Sequence, residues 1–131
     1  MSAWIPTAAR VLLGLIFTAA SIAGLTGQVP PPEGQAAQAF MGLLMSSGLL
    51  IVVKVLELMG GLALLSGFFV PLALLVLAPI IVNIAYYHAA LDPAGLGISV
   101  VLVVLWVANA LAHRPLFLPL LQAKPSASPR D

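Results

Sequence analysis

The chain has 131 residues, 62% of them hydrophobic and 7% charged, with a formal net charge of +1 and a mean hydropathy of +1.15. A soluble domain carries about 25% charged residues, and soluble helices need continuous polar faces that this chain does not supply, so an integral membrane protein is expected. A net charge of +1 gives no attraction for nucleic acid, and the absence of cysteine excludes disulfides and thiol redox chemistry by the chain itself.

Four apolar runs cover residues 8–25, 48–69, 71–89 and 96–113, each near the ~20 residues that ~30 Å of hydrocarbon requires. The first has signal-peptide features, since Arg10 precedes the apolar stretch and Ser21-Ile22-Ala23 offers a small-x-small cleavage site. Its length, and the three-helix remainder that cleavage would leave, favour a retained span. The loop that follows contains Pro30-Pro31-Pro32 and Gly34, which favour extended backbone. Residues 36–47 are mildly apolar and helix-competent. Joined to the second run they would make a helix too long for one span, so a short interfacial or re-entrant helix bending near Gly48 is expected, with a continuous tilted helix as the alternative.

The second and third runs are joined by Gly67-Phe68-Phe69-Val70-Pro71, with Gly suited to ending one helix and Pro to beginning the next, which predicts an antiparallel hairpin. Pro79 inside the third run removes a backbone donor and predicts a kink. Asp92, Pro93 and Gly95 mark the turn before the fourth run. The expected fold class is all-α: a four-transmembrane-helix bundle with a short interfacial or re-entrant helix before the second span. A single membrane domain over residues 1–123 would be followed by a disordered cytoplasmic tail, 124–131, rich in Pro and Ser.

The few basic residues set the orientation, because Lys and Arg near span ends favour the cytoplasmic side. Arg10 opens the first run, and Arg114, Lys124 and Arg130 follow the fourth. The loops carrying Glu33 and Asp92 contain no Lys or Arg. Both termini are therefore expected on the cytoplasmic side of the membrane.

Each run carries one polar or small stripe at helical spacing. The stripes are Arg10, Gly14, Thr18 and Ser21; Ser47, Lys54, Glu57 and Gly61; Pro79, Asn83 and Tyr87; and Ser99, Trp106, Asn109 and His113. Lys54 and Glu57 stand out, since each charge at the centre of a bilayer costs roughly 2.5 to 3.5 kcal/mol unless it is paired or solvated. At 1.5 Å per residue, Lys54 and Asn83 would lie ~9 Å below the outer ends of their helices and Glu57 ~13 Å. Lys54, Glu57, Asn83, Tyr87 and His88 thus form a candidate outer polar pocket, and Arg10, Asn109 and His113 a separate inner cluster. For Lys54 and Glu57 the alternative is an ion pair that only fixes packing. For Asn83 it is an interhelical hydrogen bond, and for His88 a helix-capping role.

No metal site is expected. His88 and His113 fall at opposite membrane faces, which rules out bis-histidine haem within one chain, and no combination has zinc-site spacing.

The order of residues resembles the DoxX family of small bacterial membrane proteins over residues 10–114. RVLLGLIF opens the first helix, and the succession E-x-x-G-G, P-L-A-L, A-P-I-x-V-N and H-x-x-L-D-P runs from Glu57 to Pro93. That resemblance implies a membrane subunit or anchor of a redox or oxidative-stress complex, with redox-enzyme partner proteins and a homo-oligomer compatible with it. One alternative is a quinone-interacting oxidoreductase subunit, with quinone as the cofactor. Lys54 and Asn83 would then donate hydrogen bonds, while Glu57 and His88 relay protons. The other alternative is a small-solute permease.

Overall fold

A computed structural model describes residues 4–124; of the expected tail, all but Lys124 lies outside the described residues. The chain forms α1 (Trp4–Leu25), α2 (Gln35–Ser47), α3 (Leu49–Ser66), α4 (Val70–Ala90), α5 (Leu96–Ala112) and the one-turn α6 (Arg114–Phe117). Short 3-10 turns cover Pro93–Gly95 and Leu118–Leu121. Helices α1, α3 and α4, and α5 with the turn before it, are long and apolar enough to cross a membrane, and no strand occurs among the described residues. Between its ends a helix satisfies its backbone donors and acceptors internally, which hydrocarbon demands.

Two helix limits differ from the sequence expectation by more than one residue. The first span already includes Trp4, four residues before the expected limit, and Pro6 is tolerated near the N-terminal end of a helix because a missing N–H costs least there. The second ends at Ser66, three residues early. There Gly67 (φ 80°) adopts the left-handed conformation and its N–H closes on the Ala63 carbonyl at 3.0 Å. Phe68 and Phe69 are left outside the helix and exposed.

The break between α2 and α3 falls at Gly48, whose φ of 79° a residue with a side chain adopts only with strain. Ser47 Oγ donates to the Leu44 carbonyl and accepts from the Leu49 N–H, each at 3.3 Å, so the side chain bridges the interruption. The short helix is therefore a separate element, not the start of one long span.

The four spans form a ring in which α1 packs on α3, α3 on α4, α4 on α5 and α5 on α1. Their core is Leu13 and Phe17 from α1, Leu64 from α3, Val70, Ala73, Leu74, Leu77 and Ile81 from α4, and Leu102 from α5. Because lipid is as apolar as leucine, close packing and interhelical hydrogen bonds hold such helices together. Gly60 and Gly61 supply the closeness. A β-carbon on Gly61 would lie 2.6 Å from Thr18 Oγ1 and 2.9 Å from the Thr18 backbone nitrogen on α1. One on Gly60 would lie 2.9 Å from Leu77 Cγ on α4. Trp106 Nε1 donates to the Leu74 carbonyl at 2.9 Å and joins α5 to α4.

The ring is antiparallel throughout. The end of α1, the starts of α3 and α5 and the end of α4 gather at one end with α2. The start of α1, the α3 to α4 turn and α6 occupy the other.

Candidate functional site

At the α2 end, Lys54 Nζ donates to Glu57 Oε2 at 2.9 Å within one turn of α3. The pair is asymmetric, since the Lys54 side chain is 19% exposed and that of Glu57 3%. Lys preceding Glu at this spacing is the weaker order on a helix. An ammonium has three donors and a carboxylate two oxygens, so donors on Lys54 stay uncommitted. Glu57 Oε1 makes no hydrogen bond among the described residues.

The Lys54 side chain lies along Gly24 at the end of α1. A β-carbon on Gly24 would sit 2.7 Å from Lys54 Cε and 2.8 Å from Cδ. The end of α1 therefore sets the path of the lysine, a role that helix periodicity does not reveal because it depends on a neighbouring element.

Both charged residues line a cavity of about 980 Å³ between the bundle and the α2 segment. Its walls are mainly apolar, with Pro30, Met41, Leu44 and Ile80 among them, and its polar contributions include Lys54, Glu57, Asn83 and His88. The proline loop and α2 cover it. Gln38 Nε2 donates to the Pro32 carbonyl at 2.9 Å and binds the two parts of the cover together. Phe40 of α2 packs on Tyr87 of α4 with ring centroids 5.4 Å apart, which ties the cover to the bundle. Neither Gln38 nor Phe40 stood out in the sequence, because a lone glutamine and a lone aromatic on a short helix carry no periodic signal.

His88 is held by its surroundings. Its Nδ1 lies 3.0 Å from the Asp92 carbonyl and 3.5 Å from Asp92 Oδ2, and the ring rests on Gly95, where a β-carbon would lie 2.1 Å from Cε1. A carbonyl only accepts, so Nδ1 carries a proton, and in the neutral ring Nε2 is left as an acceptor. Tyr87 meets the imidazole edge to face at 4.9 Å. The H-x-x-L-D-P succession is thus the turn that fixes the imidazole. Asn83 is exposed and makes no hydrogen bond among the described residues, so the interhelical bond considered for it is not formed; it lines the cavity instead.

The structure places Arg10, Asn109 and His113 toward the opposite end, where their side chains bond to backbone carbonyls and not to one another's side chains. Arg10 Nη1 donates to the carbonyls of Leu64 and Leu65, capping the end of α3 with a positive charge where the helix dipole is negative. Asn109 Nδ2 donates to the Leu105 carbonyl at 2.8 Å, and His113 Nδ1 lies 2.9 Å from the Asn109 carbonyl. Among the described residues no three of His, Asp and Glu gather as a metal site requires.

Four antiparallel apolar spans, with a broken-off helix covering a cavity of mixed polarity, define a small multi-pass membrane protein with a ligand-sized pocket. The family model of DoxX matches residues 5–90, from the first turn of α1 through the end of α4, and the chain belongs to that family. The match takes in Lys54, Glu57, Asn83, Tyr87 and His88 and stops before the Asp92 turn and α5. No curated protein and no solved structure matched the chain.

Proposed function

We propose that the protein is a membrane subunit of a redox-associated complex and that its pocket holds a quinone-class ligand for a partner enzyme. One observation carries this reading: a largely apolar cavity of about 980 Å³ has uncommitted donors on Lys54 and uncommitted acceptors on Glu57 and His88. A lipophilic ligand bearing a carbonyl or hydroxyl ring matches that mixture, because apolar walls supply affinity and a few placed polar groups fix orientation. Lys54 suits a quinone carbonyl, while Glu57 Oε1 and His88 Nε2 suit a quinol hydroxyl. Electrons would come from the partner, since the chain has no cysteine of its own.

The α2 end faces outward in this reading. Arg10, Arg114 and Lys124 belong to the other end, which the positive-inside tendency assigns to the cytoplasm. The membrane is then a bacterial inner membrane, with both termini inside.

Gentle solubilisation followed by native mass spectrometry and solvent extraction tests the reading. Bound quinone should accompany the native chain, and Glu57→Gln should lose most of it while melting at nearly the same temperature. A native chain that retains phospholipid alone would overturn the proposal.

A further inference from the structure

A second cavity of about 200 Å³ lies against the far side of the ion pair, among α1, α4 and α5. Its apolar walls include Phe17, Ile84, Ile98 and Leu102, and its polar wall is Lys54, Glu57 and His88. Lys54, Glu57, Ile84 and His88 line both cavities, so these four side chains form the partition between them. At the ~30 Å³ that one water occupies in the liquid, the small cavity has room for roughly six waters, about the bulk of one substituted ring.

We propose that the small cavity is the head-group subsite. The ring of the lipophilic ligand lies beyond the ion pair while its tail occupies the large cavity. This rests on the ligand class proposed above and adds where each half of the molecule goes.

Three observations lead there. The large cavity is much bigger than a ring needs, and its walls are mainly apolar, as a hydrocarbon tail requires. The small cavity is ring-sized, and Glu57, whose Oε1 makes no hydrogen bond among the described residues, is one of its lining residues. The partition also has one polar component whose tip can swing without moving a helix. Glu57 is buried, and His88 is pinned between the Asp92 carbonyl and Gly95, but Lys54 ends in a flexible chain held to Glu57 by one hydrogen bond. Movement of Lys54 opens the way for the ring, and its return places an ammonium beside a ring carbonyl.

The test compares binding of benzoquinone with and without a decyl tail to the purified full chain in nanodiscs. Leu102→Phe and Ile98→Trp narrow the small cavity, the first from its buried wall and the second from a half-exposed position that tolerates bulk. Each should weaken both quinones by about tenfold or more, the scale on which a pocket rejects a misfitting group, and leave the gain from the tail unchanged. Leu44→Trp narrows the large cavity and should remove the gain from the tail while sparing the tailless ring. If Leu44→Trp weakens both quinones and the small-cavity variants bind like the unmodified chain, the head lies in the large cavity. The subsite is then wrong although the ligand class stands. If the unmodified chain binds neither quinone, the ligand class fails and the subsite with it. Should Leu102→Phe not fold, Ile98→Trp decides.

Discussion

The two ends of the bundle use their polar groups in opposite ways. At the end bearing the α3 to α4 turn, Arg10 bonds to the carbonyls of Leu64 and Leu65, and Asn109 and His113 bond to carbonyls of their own helix. Arg10 thereby serves carbonyls that the end of α3 leaves unsatisfied, while Asn109 and His113 add second bonds to carbonyls of α5. At the α2 end, Lys54, Glu57, Asn83 and His88 border open space and keep donors or acceptors uncommitted. The same kinds of side chain therefore close one end and furnish the other. Uncommitted donors and acceptors beside open space suit a bound molecule, and this is the basis of the proposed pocket at the α2 end.

Substitutions can break this contrast or sharpen it. The largest effect is expected for Lys54→Met, which leaves the buried Glu57 carboxylate without its cation and should destabilise the protein by about 3–5 kcal/mol, read by unfolding in mixed micelles. Adding Glu57→Leu should recover most of that loss. Glu57→Gln alone should be much milder, because the partly exposed lysine can extend toward polar surroundings and the carboxylate cannot. An equal loss in the two single variants would show that the asymmetry has no energetic content.

Gly61→Ala comes next. The added methyl meets the Thr18 backbone, which cannot move without α1, and overpacking of this kind costs about 1–3 kcal/mol. The contrast between the ends requires that this variant melt earlier yet, once folded, retain the same quinone per chain. Trp106→Phe should have the smallest effect, about 0.6 kcal/mol for one interhelical hydrogen bond in a membrane. A loss of several kcal/mol there would make the indole a keystone of the ring.

Much of the scaffold was legible because its signals are local. Four apolar runs of bilayer length, the Gly48 break and the Gly67 to Pro71 hairpin are each written in adjacent residues, and the structure contains all of them. Periodicity also placed Lys54, Glu57 and Gly61 on the inward side of α3. It reports a face, however, and not the neighbour that face meets. Thus Arg10 was grouped by depth with Asn109 and His113, whereas its guanidinium reaches α3. For Asn83 the spacing allows both a pocket position and a helix-to-helix hydrogen bond, and only its neighbours in space separate the two: it lines the cavity and makes no hydrogen bond among the described residues. The cover over that cavity depends on how a proline-rich loop folds back, which no repeating pattern encodes.

The adjacency of Gly60 and Gly61 has a consequence for the shape of the ring. Successive residues on a helix point about 100° apart, so the two glycines draw α4 and α1 against α3 in directions close to a right angle. Glycines on opposite faces, about 180° apart, would set the two neighbours on either side of α3 and give a flat row of helices. Placed side by side, they make α3 the corner of a square cross-section, and α5 closes the square opposite it. A dipeptide without a polar atom in its side chains thereby determines that the bundle has an inside.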